Sequence, residues 1–351
     1  VTREPYSGYP VTVILLALLL SLRLSPDSLD TPFKQPQLAV SKDVVALTYG
    51  AGKVVYFAGS RDGAATFSKP VQVASAPHLA LGRHRGPRIA FAKSTIVISA
   101  NIATLGGGKD GDLVAWRSID GGKTWSAASP ISDIPGAARE GLHKAASPDG
   151  VLMAAWLDLR DKKMSLYGSF SRDGGASWSK NQLIYASPDG KICECCHPSL
   201  YVTPDGQFHV MWRNNLEGSR DMWLASSSNR GQTWTSQKLG RGTWPLNACP
   251  MDGGGLSVDP AGRLQSVWRR DGGIYTARPG EQEMRAGKGK DPAIAGRYIA
   301  WTDELSIKFA EVGQESKVLS EDGAFVSLAG TGRVYAAWEE KGAIIVRKLG
   351  E

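Results

Sequence analysis

Apolar positions along this chain come in short runs separated by Gly, Pro, Asp, Asn and Ser, the pattern of brief strands joined by tight turns. The runs repeat as a unit. A strand, a turn and a second strand ending in an aromatic residue occur in KAASPDGVLMAAW up to Trp156, SLYVTPDGQFHVMW up to Trp212, GLSVDPAGRLQSVW up to Trp268, AIAGRYIAW up to Trp301 and VSLAGTGRVYAAW up to Trp338. LAVSKDVVALTY and RIAFAKSTIVISAN fit the same unit without the Trp. Seven units result, with six as the alternative count if the short unit near 290–320 is an insertion in its neighbour. Composition agrees with an all-β reading: 41 Gly, 19 Pro and 11 Trp stand in 351 residues, and no long stretch favours helix.

Only the first 30 residues break the pattern. Arg3 precedes an apolar run from Val11 to Leu22, which falls short of the ~20 residues that a spanning helix needs. That is the shape of an export signal. Residues 1–30 are therefore expected to be a signal peptide, with an uncleaved anchor as the alternative and the only route to a membrane. Residues 31–351 are expected to form one exported domain, periplasmic or extracellular, with residues 24–36 closing its last sheet.

A second repeat lies at 60–67, 118–125, 171–178 and 227–234, reading SRDGAATF, SIDGGKTW, SRDGGASW and SSNRGQTW. Its chemistry is that of a hairpin turn. An Asp or Asn oxygen accepts backbone N–H groups across the turn, Gly supplies positive φ, a hydroxyl ties the ends, and the last aromatic packs between sheets. Asp62, Asp120, Asp173 and Asn229 are accordingly read as structural. The four segments resemble the Asp-box, or BNR, repeat of the sialidase superfamily. That resemblance implies a β-propeller of the sialidase type, here with seven blades favoured over six, spanning about residues 37–350.

A propeller gathers on one face the loops leading into each innermost strand and those joining the second and third strands. On that face the sequence places Arg83, His84, Arg85, Arg88, Glu140, His143, Asp158, Arg160, Arg213, Asn214, Arg220, Asp252 and Arg269. Charged residues at the ends of successive units, Asp158, Arg213, Arg269, Asp303 and Glu339, are expected to ring the channel and suit an anionic or sugar-like ligand. The resemblance implies a clamp of three arginines for a substrate carboxylate, for which Arg88, Arg213 and Arg269 are the candidates. It also implies a Tyr nucleophile, which no late loop supplies, since Tyr298 and Tyr335 read as strand residues. Glu140 and Asp158 are the candidate catalytic acids, and Arg85, Arg88, His143, Arg160, Arg213, Asn214, Arg220 and Arg269 the candidate ligand-binding residues.

All four cysteines fall between 193 and 249. In an exported protein Cys193, Cys195, Cys196 and Cys249 suggest disulfides, with Cys249 near the 193–196 segment because both lead into successive units. A soft-metal site for copper or zinc, with His197 and Met251 as further ligands, is the alternative; a reactive cysteine is the third. CECCHPSL and NACPMDGG resemble paired motifs of a subgroup of bacterial sialidase-like propellers. No cofactor is required by the reading. The net charge of +7 comes from basic residues scattered among acidic ones, so nucleic acid is not an expected partner, whereas an anionic small molecule or glycan is. Two functions remain open: an exo-glycosidase acting on terminal sialic acid or another anionic sugar, and a non-catalytic ligand-binding or metal-handling propeller. A lyase or other carbohydrate enzyme on the same fold is a third.

Overall fold

The computed structural model describes residues 21–82, 84–106, 110–146 and 148–350, with the backbone alone at 140–146. These residues form seven antiparallel sheets of four strands each, the count that the sequence reading favoured over six. Blade one comprises Phe33–Ser41, Val44–Ala51, Val54–Ser60 and Val71–Ser75, from the axis outward. Blades two to six follow in order at 88–130, 138–185, 199–238, 254–288 and 290–320. Blade seven takes Ala324–Ala329, Val334–Glu340 and Ala343–Gly350 and is completed by Ser21–Leu24. That closing strand pairs from Ser21 opposite Arg347 to Leu24 opposite Ile344. It lies within the segment read as a leader and mostly upstream of the 24–36 stretch expected to close the ring. Pairing the first strand with the last removes an open sheet edge. Residues 1–20, most of the leader reading, lie outside the described residues, among which no helix is long and apolar enough to cross a membrane.

Each middle strand is covered on both sides by its neighbours. Leu152–Asp158 and Ser165–Ser171 are buried at every position, so their sequences run apolar or small throughout instead of alternating. Where a unit ends in an aromatic, that ring fills the wedge between blades. Trp156 shares a buried cluster with Ala90, Val97 and Leu113 of blade two, Trp212 with Met153 and Leu157 of blade three, and Trp338 with Ala300 and Ile307 of blade six.

The Asp boxes are turn staples. Asp120 accepts the Ser118 hydroxyl at 2.7 Å, the Thr124 N–H at 3.0 Å and the Thr124 hydroxyl at 2.6 Å, while the Gly122 N–H donates to Ser118 at 2.8 Å. Gly122 has φ of +91°, and a Cβ there would lie 2.0 Å from the Phe57 ring, so only glycine fits. Asp62, Asp173 and Asn229 repeat the pattern. Hydrogen bonds from Thr66 and Ser60 pull the Asp62 carboxyl down to about 2, and the equivalent donors Thr124 and Ser118 lower Asp120. A depressed carboxylate contributes stability that is full above its unfolded pKa near 4 and is lost as pH falls through the folded value. Acid titration of the melting temperature should therefore show wild type losing stability between about pH 4 and pH 2. In Asp62→Ala/Asp120→Ala that limb should be shallower, and an unchanged limb would remove the boxes from the acid response.

Candidate functional site at the channel mouth

The inner strands carry mostly aliphatic and small residues, and they enclose a channel of about 670 Å³. Leu38, Ile89, Leu200, Leu256, Ile294 and Val326 form its wall; His84, Arg88 and His197 stand at one end, and Lys42, Asp43 and Arg333 at the other. Four inner strands begin with a residue, a proline, a residue and an aliphatic: Gln35–Pro36–Gln37–Leu38, Gly86–Pro87–Arg88–Ile89, His197–Pro198–Ser199–Leu200 and Asp291–Pro292–Ala293–Ile294. The first positions of neighbouring blades meet around the mouth. A Cβ on Gly86 would lie 2.1 Å from the Cβ of Gln35, and one on Gly253, at the matching place in blade five, 2.3 Å from the His197 carbonyl oxygen. Gln35, Asp291 and Phe325 hold φ of +56°, +53° and +53° there, a left-handed conformation that costs a side-chain-bearing residue energy and clusters at functional sites.

His84 crosses this mouth. Its loop leads into blade two, yet its ring stacks on His197 of blade four with centroids 4.2 Å apart and meets Phe325 of blade seven edge-on. Its Nε2 lies 2.7 Å from Oδ1 of Asp291 in blade six. Asp252, 1% exposed, stands behind this pair, with Oδ2 accepting the Asp291 N–H at 2.9 Å. Burial, and then the Asp291 charge, push the Asp252 carboxyl up to about 6. Glu339 accepts the Gln35 N–H at 2.7 Å, and burial raises its carboxyl. A carboxylate-held imidazole can give or take a proton at a bound ligand. His84, Asp252 and Asp291 also bring one nitrogen and two oxygens within 4.8 Å of one another, a set that could hold a cation.

The arginines expected to clamp a ligand are turned inward. Arg213, 1% exposed, donates Nε to the Asp252 carbonyl at 3.1 Å, Nη1 to that of Arg220 at 2.8 Å and Nη2 to that of Arg269 at 2.8 Å. Arg88 is buried and donates to the carbonyls of Gly86 at 2.9 Å and His84 at 2.5 Å, holding the loop that carries His84. Burial lowers its pKa to about 10. Arg269 is the part-exposed member, 3.9 Å from Asp252, and shares the Trp244 ring with Arg213. Arg220 donates to the Leu246 carbonyl and Asn214 to the Tyr185 hydroxyl. Arg85 lines a separate recess with His78, Asp110 and Arg139.

Strand alternation corrects the expected ring of charge. Arg213, Arg269 and Glu339 lie one residue past their Trp, whereas Asp158 and Asp303 lie two past theirs, and the two sets point to opposite sides of a blade. Arg213 and Glu339 reach the loop of the following blade. Asp158 points away from the channel instead: it is fully buried, accepting Trp156 Nε1 at 2.8 Å and Arg160 Nε at 2.9 Å. Arg160 is held further by Asp133, Asn181 and the Tyr167 ring. Asp158, the candidate catalytic acid, and Arg160, the candidate ligand contact, thus sit together in an interblade network. Glu140 and His143 lie on the inner strand of blade three, opposite Leu157 and Ala155; their side chains are outside the described residues.

A sequence model described as a BNR repeat-like domain matches residues 48–252. The chain belongs to the BNR repeat-like domain family. No curated protein sequence matches it, but solved propellers do. The BNR repeat-like chain is similar to a protein of unknown function from Dyadobacter fermentans at 16% identity, TM-score 0.55, over 94% of this chain and 99% of that one. It is similar to the α-L-arabinanase of Penicillium chrysogenum complexed with arabinobiose at 13% identity, TM-score 0.60, over 94% and 98%. Against the Trypanosoma rangeli sialidase the values are 12% and 0.53, over 94% of this chain and 59% of that one.

In this BNR repeat-like propeller Cys195 and Cys249 form a disulfide between the loops leading into blades four and five, as the adjacency of those loops required. Cys193 and Cys196 are buried free thiols with Sγ atoms 3.4 Å apart. The neighbouring Cys196 thiol, and then Arg213 and Arg220, hold Cys193 down near about 6 against its burial. Burial pushes Cys196 up. Met251, 36% exposed with φ of +52°, precedes Asp252.

Proposed function

We propose that this chain is an exported carbohydrate-active propeller that binds an anionic glycan at the channel mouth and transfers a proton to or from it through His84. The observation that carries the reading is His84 standing across the mouth, hydrogen-bonded to Asp291 and stacked on His197. Two carboxylates that flanked a glycosidic bond would indicate hydrolysis, but Asp252 and Asp291 lie side by side behind the imidazole. A base with a nearby cation suits removal of the proton beside a uronate carboxylate, followed by loss of the glycosidic oxygen as leaving group. Arg269, part-exposed and 3.9 Å from Asp252, is the candidate cation. The likeness to an arabinanase, a sialidase and an ulvan lyase bound to a glucuronate-containing saccharide supports a sugar ligand. The Cys195–Cys249 bond supports an oxidising compartment and hence export.

The test is incubation with uronate polysaccharides, arabinan and aryl sialosides, following ultraviolet-absorbing unsaturated uronides and free reducing ends separately. Unsaturated product that falls sharply in Asp291→Asn is the expected outcome. Hydrolysis of the sialoside would instead favour an exo-sialidase, and saturable binding without product would leave a glycan-binding propeller.

A further inference from the structure

The four cysteines form one cluster although they come from two loops. Cys193 and Cys196 stand in a Cys-x-x-Cys spacing with their sulfurs 3.4 Å apart, and each lies 3.9 Å from the sulfur of Cys195. Cys195 is bonded to Cys249, so a dithiol and a disulfide are in van der Waals contact. The two pairs differ in access: Cys193 and Cys196 are buried, whereas Cys249 is exposed. The charges of Arg213 and Arg220 act on Cys193, and positive charge favours the thiolate that attacks a disulfide.

We propose that this cluster is a thiol–disulfide exchange centre that moves the oxidised pair between the exposed Cys195–Cys249 position and the buried Cys193–Cys196 position. The Cys193 thiolate attacks the Cys195 sulfur, the Cys193–Cys195 bond forms, and Cys249 leaves as a thiolate that takes up the proton given up by Cys193. Cys196 then attacks the Cys193 sulfur, Cys195 leaves, and the proton of Cys196 passes to it. One disulfide and two thiols are present before and after, so the isomerisation needs no oxidant or reductant. Its product carries a free thiol at the exposed Cys249, which can attack a disulfide of another molecule. It also unties the loops leading into blades four and five next to Asp252, whose N–H contacts Cys196.

The discriminating variant is Cys196→Ser, which keeps the attacking thiol and removes the one that resolves the intermediate. The folded full-length protein is held at neutral pH, quenched with acid, alkylated, and mapped by mass spectrometry without reduction. The expected result is a trapped Cys193–Cys195 bond with alkylated Cys249 in Cys196→Ser, and both one-disulfide isomers in wild type. Cys193→Ser, which cannot begin the exchange, should retain Cys195–Cys249 alone. A Cys196→Ser protein that keeps Cys195–Cys249 and alkylates only at Cys193 would overturn the proposal. So would wild type isolated with four thiolates on a bound zinc or copper ion.

Discussion

Turnover of a uronate glycan is expected to fall by about 100- to 10,000-fold in His84→Ala, the range associated with loss of a positioned acid or base. The melting temperature should move little by comparison. His84 is half-buried at the mouth, and its main chain is held separately through the Arg88 guanidinium. His84→Gln, which retains a polar side chain at that place without a titratable ring, should bind ligand yet turn it over no better than alanine. Kinetics under single-turnover conditions with a parallel binding isotherm would separate these effects. Loss of binding in both variants with turnover per bound ligand intact would make His84 a ligand contact instead.

The same site gives a pH signature. Asp252 titrates near about 6 because burial and the Asp291 charge penalise its ionised form. Above that pH a proton accepted at His84 lies against two carboxylates, and below it against one. Base-type turnover is thus expected to rise as pH increases through about 6, and Asp252→Asn should flatten that limb while leaving activity. A limb unchanged in Asp252→Asn would assign the titration elsewhere.

The propeller was legible because its signals are local. Each Asp box is a closed turn within eight residues, and six of the seven units end in a Trp or Tyr at the same strand position, so counting repeats counts blades. The site was legible only in part. His84 and Asp252 could be placed on one face from loop order, but that His84 reaches blades four, six and seven depends on ring closure, which no local pattern encodes. Asp291 was missed, although its Asp-Pro-Ala-Ile stretch repeats the X-Pro-X-aliphatic pattern of Gln35, Gly86 and His197 and would have placed it on the mouth. The charged ring failed on parity, since a one-residue offset carries Asp158 to the other side of its blade. Loop adjacency located Cys249 beside Cys195, but spacing could not choose the pairing among four cysteines.

Arg213 decides between a clamp and a staple. A guanidinium reserved for a substrate carboxylate would offer its fork to the channel. Here all three nitrogens donate to main-chain carbonyls from the loop after its own strand, the end of the equivalent strand of blade five, and Asp252. Arg213→Met fills a similar volume but leaves three carbonyls, one buried and two part-buried, without those donors. Each orphaned group costs about 1–3 kcal/mol. Denaturant unfolding is therefore expected to show Arg213→Met destabilised by about 3 kcal/mol or more. Arg213→Lys should rescue little of this, because one ammonium on a flexible stem cannot span carbonyls that a planar fork reaches together. The loss should be present without any ligand, and surviving folded protein should show displaced Asp252 chemistry as a shift of the limb near pH 6. Unfolding midpoints equal to wild type, with glycan binding abolished, would return Arg213 to the role of a carboxylate clamp.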